Sequence, residues 1–233
     1  MIINDMAFRI GGEAGQGLES SGSAFSKALI RAGLHVVAVP DAYSRIRGGH
    51  NFMTIRANRE PVYAAAEGIQ VLIALNAETI QRHLNTMVPG SALICDAGLE
   101  FDRSVLDGRD IRLVDAPLLE IARTEGNELM INTASVAVAA GLTGFDIKYI
   151  LSVISEGFDR QGTDIAKANY HVAEAAYKWA AENHPGFGWQ LKAIEGPKRV
   201  TINANQAFAM GALMAGCKFV ADYPMTPTTP VLE

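Results

Sequence analysis

Three short stretches of the chain bring together residue types that can do chemistry. In the first, Gly12-Glu13-Ala14-Gly15-Gln16-Gly17, glycines recur where the apolar run Ala7 to Ile10 gives way to helical spacing at Leu18, Ala24, Phe25, Ala28, Leu29 and Ala32. A strand that hands over to a helix through such a turn aims backbone N–H groups and the positive end of the helix dipole at one point, which suits an anion, typically a phosphate. The spacing is not the GxGxxG of dinucleotide sites, and no Lys-Ser/Thr pair follows Gly17 as a P-loop requires. Asp41 could still serve as a ribose-binding carboxylate, which keeps an NAD(P)-binding dehydrogenase as an alternative. The plainer reading is a set of glycines that serve only a tight turn and close helix packing.

The second stretch holds Arg45, Arg47, Gly48, Gly49, His50 and Asn51. A guanidinium offers a fork of donors to two oxygens, so arginines beside flexible glycines suit phosphate or carboxylate capture. A solvated basic loop is the alternative, and His50 alone says little about catalysis. The third stretch is Tyr223-Pro224-Met225-Thr226-Pro227-Thr228-Thr229-Pro230. Its prolines fix φ and push the preceding residues toward extended backbone, giving a stiff loop that holds the hydroxyls of Thr226, Thr228 and Thr229. One of these threonines could cap a helix that has Pro230 in its first turn.

The elements that must position these residues read as α/β. Gly33 ends the first helix, and Val36 to Val39 is a strand-length apolar run stopped by Pro40, so the opening reads as β-α-β. Runs at Val71 to Leu75, Ala92 to Cys95 and Arg112 to Val114 alternate with helical patterns and predict a mostly parallel sheet with helices on both faces. Three helices follow: Asn132 to Leu142, Asp146 to Ile154, and one marked by Ile165, Ala168, Val172, Ala176 and Trp179. Residues 183–198 lose periodicity and collect turn formers, which reads as a linker. Val200 to Ile202, a helix with small residues at Ala207, Gly211, Ala212 and Ala215, and Lys218 to Ala221 then look like the start of a second, incomplete α/β unit.

With 233 residues, 49% of them apolar, the chain can bury one full core and begin another. A net charge of −5 argues against nucleic acid or an anionic membrane as partner. Cys95 and Cys217 belong to no CxxC or Cys/His cluster, so both read as buried thiols and no metal site is expected in this chain. Met1 to Phe8 lacks the features of a signal peptide and no apolar run is long enough to span a bilayer, which predicts a cytoplasmic location.

Taken together, the three stretches resemble 2-oxoacid:ferredoxin oxidoreductases in which a gamma domain precedes the alpha domain. Gly12 to Gly17 resembles the gamma-family GxGGQG turn and Arg47-Gly48-Gly49 its RGG loop; Asn132 and Asn169 look like further gamma-family asparagines. Asn205-Gln206-Ala207 through Gly211-Ala212 to Gly216, followed by Tyr223-Pro224-Met225-Thr226-Pro227, resembles the opening of the alpha pyrimidine-binding domain and its YPITP motif. Ala14 departs from the family's third glycine, Gln206 from its glutamate, and Met225 from its isoleucine. The family pattern implies a gamma domain at 1–182, a linker at 183–198 and a truncated start of the pyrimidine-binding domain at 199–233.

That resemblance implies oxidative decarboxylation of a 2-oxoacid to an acyl-CoA with electrons passed to ferredoxin, by an assembly in which this chain is not active alone. It places CoA phosphates on Gly12, Gly15, Gln16, Gly17, Arg47, Gly48 and Gly49. Tyr223, Pro224 and Thr226 fall to the thiamine diphosphate side, with Thr226 the substrate contact. Thiamine diphosphate and CoA would be shared with a beta subunit that carries the iron–sulfur clusters and Mg²⁺, within an oligomer that meets ferredoxin. The glutamate expected to activate thiamine diphosphate would lie further along the family's alpha domain than Glu233. A non-catalytic assembly module with the gamma fold is the other alternative.

Overall fold

The computed structural model describes residues 1–42, 49–158, 163–223, 225 and 229–232. They form two units, Met1–Lys198 and Arg199–Glu233.

In the first unit, β1 (Ile2–Ile3), β2 (Asp5–Glu13), α1 (Leu18–Arg31), β3 (His35–Ala42), β4 (His50–Asn58), β5 (Ile69–Ala74), α2 (Ala77–His83), β6 (Met87–Asp96) and β7 (Ile111–Ala116) come first. The helices α3 (Leu118–Glu125), α4 (Ile131–Thr143), α5 (Ile147–Phe158) and α6 (Thr163–Asn183) and the short β8 (Trp189–Gln190) complete it. The main sheet has the order β3-β4-β2-β5-β6-β7. β2, β5, β6 and β7 pair in parallel, while β4 runs antiparallel between β2 and β3.

Alternation along the strands sorts the side chains into two layers. Met6, Phe8 and Ile10 of β2, Met53, Ile55 and Ala57 of β4, and Val71 and Ile73 of β5 point to one face, where α1, α3, α4, α5 and α6 bury them in the main core. On the opposite face Leu72, Ala74 and Leu93 pack with Ile80 of α2 in a smaller cluster. Helices therefore cover both faces of a mostly parallel sheet, as the apolar runs predict. α4 is buried along its whole length from Ala134 to Thr143, which explains why its residues are small and apolar all round.

Several details differ from the sequence reading. β4 is an added strand, and it separates β3 from β2, so the opening β-α-β is not a pair of adjacent parallel strands. β3 continues through Pro40 to Ala42 because it is an edge strand, where a residue without an N–H costs no ladder bond. Residues 183–198 pack on the first unit: Phe187 and Leu191 are buried, β8 pairs with β1, and the Ile194 N–H donates to the Ala32 carbonyl at 2.7 Å. Glycine and proline in that stretch mark an irregular path, and its four apolar side chains Phe187, Trp189, Leu191 and Ile194 hold it to the core.

Gly33 shows how tight that packing is. Its φ is +88°, and a Cβ there would meet the Ile194 carbonyl carbon at 3.1 Å. Gly33→Ala is expected to lower unfolding stability by about 2 kcal/mol or more, from positive-φ strain plus the lost fit of 194 on α1's end. Denaturant unfolding measures this, and an unchanged midpoint would contradict it.

The second unit contains α7 (Ala204–Met214) and α8 (Thr229–Leu232). α7 opens with a capping box in which Asn203 and Gln206 each satisfy the other's backbone N–H. Gln206 can fill that role as well as a glutamate. Val200 to Ile202 and Lys218 to Ala221, read from sequence as parts of a second α/β unit on either side of its helix, carry no regular structure, since a strand forms only against a neighbour and the described residues of this unit hold no sheet. Cys217 is exposed rather than buried, while Cys95 is buried.

Candidate functional site

The register of the sheet gathers the first two stretches at one edge. Gly12 lies opposite Asn51 and Glu13 opposite His50, and on the far side of β4 Asp41 lies opposite Phe52. Between β2 and α1 the chain needs two left-handed residues, and glycines provide both: Gly15 at φ +94° and Gly17, the cap of α1, at φ +72°. Asn4 is the sole non-glycine at positive φ among the described residues, so Ala14 fits the turn without strain.

Gln16 locks this turn from inside. Its side-chain oxygen accepts the Glu13 N–H at 2.7 Å, and its own N–H donates to the Glu13 carbonyl at 3.1 Å. Gly12 makes room, because a Cβ there would collide with that side-chain oxygen. The Asn132 amide donates to the Gln16 carbonyl, and the Ala14 N–H donates to the Gly49 carbonyl at 2.7 Å. The first intrahelical bond of α1 joins the Ser21 N–H to Gly17 at 3.0 Å, leaving the N–H groups of Gly17, Leu18, Glu19 and Ser20 as the helix's orphan donors.

Clefts open on both sides of the turn. One of about 720 Å³ is lined by Glu13, Gly15, Gly17, Ser20, Asp41 and Phe52; the other, of about 430 Å³, by Gly15, Gln16, Leu75, Leu129 and Asn132. Both have the size of small-molecule sites. The Asn132 side-chain oxygen is buried without a partner among the described residues, an acceptor held in reserve beside the turn. Thr133, next to it, donates to Asn169 at 2.8 Å, so the second asparagine singled out in the sequence is held by the neighbour of the first.

Of the sequence-derived site residues, Gly12, Gly15, Gln16, Gly17 and Gly49 thus come together. Arg45, Arg47 and Gly48 lie outside the described residues, as do Pro224 and Thr226. Tyr223 belongs to the second unit and is exposed. Among the described residues no group of three or more His, Cys, Asp or Glu could hold a metal ion, and no helix is long and apolar enough to cross a membrane.

A polar cluster beneath the site escaped the sequence reading. His50 and His83 are both buried, with their Nε2 atoms 2.8 Å apart. The Arg9 guanidinium reaches Nδ1 of His83 at 3.1 Å, Thr54 at 3.0 Å and Thr86 at 3.2 Å, and lies 4.8 Å from the centre of the Phe52 ring. Desolvation by burial is the main force that holds His83 down to about 4, with Arg9, His50 and Arg82 adding to it; burial also lowers His50. In the unfolded chain these rings take up protons near their ordinary value of 6.5, in the folded one only at lower pH. Stability is therefore expected to be full above about pH 6.5 and to fall as pH drops toward 4, by on the order of 2 kcal/mol for His83 alone. Unfolding midpoints of wild type and His83→Gln across that range measure it; parallel curves would contradict it.

A family model described as pyruvate ferredoxin/flavodoxin oxidoreductase matches residues 7–179. The chain is 20% identical over 268 residues to a 2-oxoacid:ferredoxin oxidoreductase subunit alpha from Sulfolobus sp, covering 96% of this chain and 41% of the relative. To the ketoisovalerate oxidoreductase subunit VorA of Methanothermobacter thermautotrophicus it is 29% identical over 185 residues, 78% of this chain and 38% of the relative. The fold matches a 2-oxoglutarate:ferredoxin oxidoreductase from Magnetococcus marinus, solved with 2-oxoglutarate, coenzyme A and succinyl-CoA bound. The TM-score is 0.88 at 24% identity, over 98% of this chain and 40% of that one. A keto/oxoacid ferredoxin oxidoreductase gamma subunit from Geobacter sulfurreducens aligns with 76% of this chain and 99% of its own length, at a TM-score of 0.63 and 18% identity. The chain spans about 41% of the length of the first of these curated relatives.

Proposed function

The chain belongs to the pyruvate ferredoxin/flavodoxin oxidoreductase family, and we propose that it supplies the CoA side of a 2-oxoacid:ferredoxin oxidoreductase. The observation that carries this is the glycine turn: orphan helix amides stand between two clefts large enough for a cofactor, and the Asn132 oxygen in one of them can accept an N–H or O–H of the same ligand. The solved relative with CoA and succinyl-CoA bound supports the choice of anion.

In this reading the N–H groups of Gly17, Leu18, Glu19 and Ser20 take CoA phosphate oxygens, and Arg47, Gly48 and Gly49 belong to the same phosphate site. The reaction of the whole assembly is 2-oxoacid plus CoA plus two oxidised ferredoxins to acyl-CoA, CO₂, two reduced ferredoxins and the proton released from the CoA thiol. The carboxylate carbon leaves as CO₂, the thiol sulfur forms the new thioester bond, and the two electrons leave singly. Thiamine diphosphate, when bound, supplies the electron sink for the decarboxylation. Tyr223, Pro224 and Thr226 would stand on its pyrimidine side, Thr226 against the substrate.

Residues 1–182 then act as the gamma domain and 199–233 as the opening of a pyrimidine-binding domain. The iron–sulfur clusters and Mg²⁺ fall to a beta-type subunit, which with ferredoxin forms the partner set of a cytoplasmic oligomer. This chain's own work is to bind CoA, hold its phosphates fixed, and so orient the thiol; orientation of this kind makes a bimolecular step effectively unimolecular. The test is to mix the chain with a cluster-bearing beta-type partner and a relative's alpha domain that brings the activating glutamate, and follow 2-oxoacid-dependent reduction of a viologen dye. Activity that needs all three and CoA is expected; dye reduction by the complex that is indifferent to CoA would refute the assignment.

A further inference from the structure

The buried histidine pair has one self-consistent proton arrangement. Arg9 can only donate, so its contact at 3.1 Å makes Nδ1 of His83 an acceptor. A neutral His83 then carries its proton on Nε2, which donates across 2.8 Å to Nε2 of His50. His50 in turn holds its proton on Nδ1. The chain runs from Arg9 through His83 to His50 in a single direction, and a proton added to His83 would set an N–H against the Arg9 guanidinium. The charged groups that face the pair are Arg9 from β2 and Glu78 and Arg82 from α2.

His50 is the first residue of β4 and follows Gly49, whose carbonyl accepts the Ala14 N–H of the glycine turn. Phe52 packs its ring against His83 at 4.5 Å between centroids and also lines the larger cleft. We propose that His83, oriented by Arg9, is a positioning residue: it pins His50, and through His50 holds the Gly49 carbonyl on Ala14, setting the shape of the anion-binding turn. Protonation of the pair breaks the one-way chain and loosens that clamp, so the turn holds its ligand at neutral pH and relaxes in acid. The effect on CoA rests on the function proposed above; the clamp itself does not.

Nitrogen NMR of the imidazoles and hydrogen exchange of the Ala14 amide in the full chain test this without any ligand. At about pH 7.5, His83 is expected to carry its proton on Nε2 and His50 on Nδ1. Ala14 protection, referred to that of Val71 in the central strand β5, should fall about tenfold by about pH 3, below the value of about 4 to which burial holds His83, the loss of roughly one hydrogen bond. His83→Gln, whose amide can accept from Arg9 and donate to His50, should keep the protection at pH 7.5 and, with one of the two titrating rings removed, lose less of it in acid than wild type. His83→Leu should lose it at both pH values while Val71 stays protected. Equal Ala14 protection in all three proteins, or a His83 proton on Nδ1, overturns the proposal. A CoA titration of the same proteins separates the two readings: if protection behaves as stated and CoA does not bind, the clamp stands and the CoA assignment falls; affinity that follows Ala14 protection supports both.

Discussion

Gly141→Val is expected to unfold the first unit or to cost it on the order of 4 kcal/mol. Gly141 lies in α4 where this helix crosses α6, and a Cβ there would collide with the Tyr177 carbonyl oxygen and meet the Ala180 Cβ at 2.9 Å. Neither neighbour can move alone, since Ala180 is buried and Tyr177 is bonded into the middle of a 21-residue helix. Overpacking at a backbone-to-backbone contact must separate the helices, which exposes Ala137, Ala140, Val172 and Ala176 as well. Thermal or urea unfolding reads the loss directly. A variant within about 1 kcal/mol of wild type would mean that the α4–α6 contact is looser than described.

The second large effect falls on binding. In Gly12→Val, the new Cβ would displace the Gln16 side-chain oxygen and crowd the Leu75 Cβ at 3.2 Å and the Leu18 Cδ2 at 3.4 Å. Gln16 would release the Glu13 N–H, and the turn would lose the internal bond that fixes its amides. With the helix donors no longer preorganised, CoA affinity is expected to fall about a hundredfold, near 3 kcal/mol. Strand β2 keeps its pairing with β5 and its Phe8 and Ile10 core contacts, so the fold should survive. Calorimetry and circular dichroism on the same sample separate the two; CoA binding equal to wild type would remove the turn from the ligand site.

Much of this site was legible because the interactions that build it are local. Gly15 and Gly17 announce a turn by their type, and Leu18 to Ala32 announce the helix by spacing. The strand β4 was missed: its first residues His50 and Asn51 are polar and follow an Arg-Gly-Gly loop. Its alternation of Met53, Ile55 and Ala57 with Thr54, Arg56 and Asn58 was the available signal. The Arg9–His83–His50 chain could not be read at all, since Arg9 and His83 stand 74 positions apart and meet only when β2, β4 and α2 share a face. Conversely, Lys218 to Ala221 has the composition of a strand and forms none, because pairing depends on a neighbour that composition does not reveal. Residues 183–198 show the same limit: glycine and proline hide the four apolar anchors that tie them to the core.

The central claim, that this chain handles CoA through the glycine turn, is tested most directly by calorimetric titration of the purified protein with CoA, with NAD⁺ in parallel. The account predicts saturable CoA binding that Gly12→Val weakens about a hundredfold, and none with NAD⁺. Saturable NAD⁺ binding without CoA binding would contradict it and return Asp41 to the role of a ribose ligand.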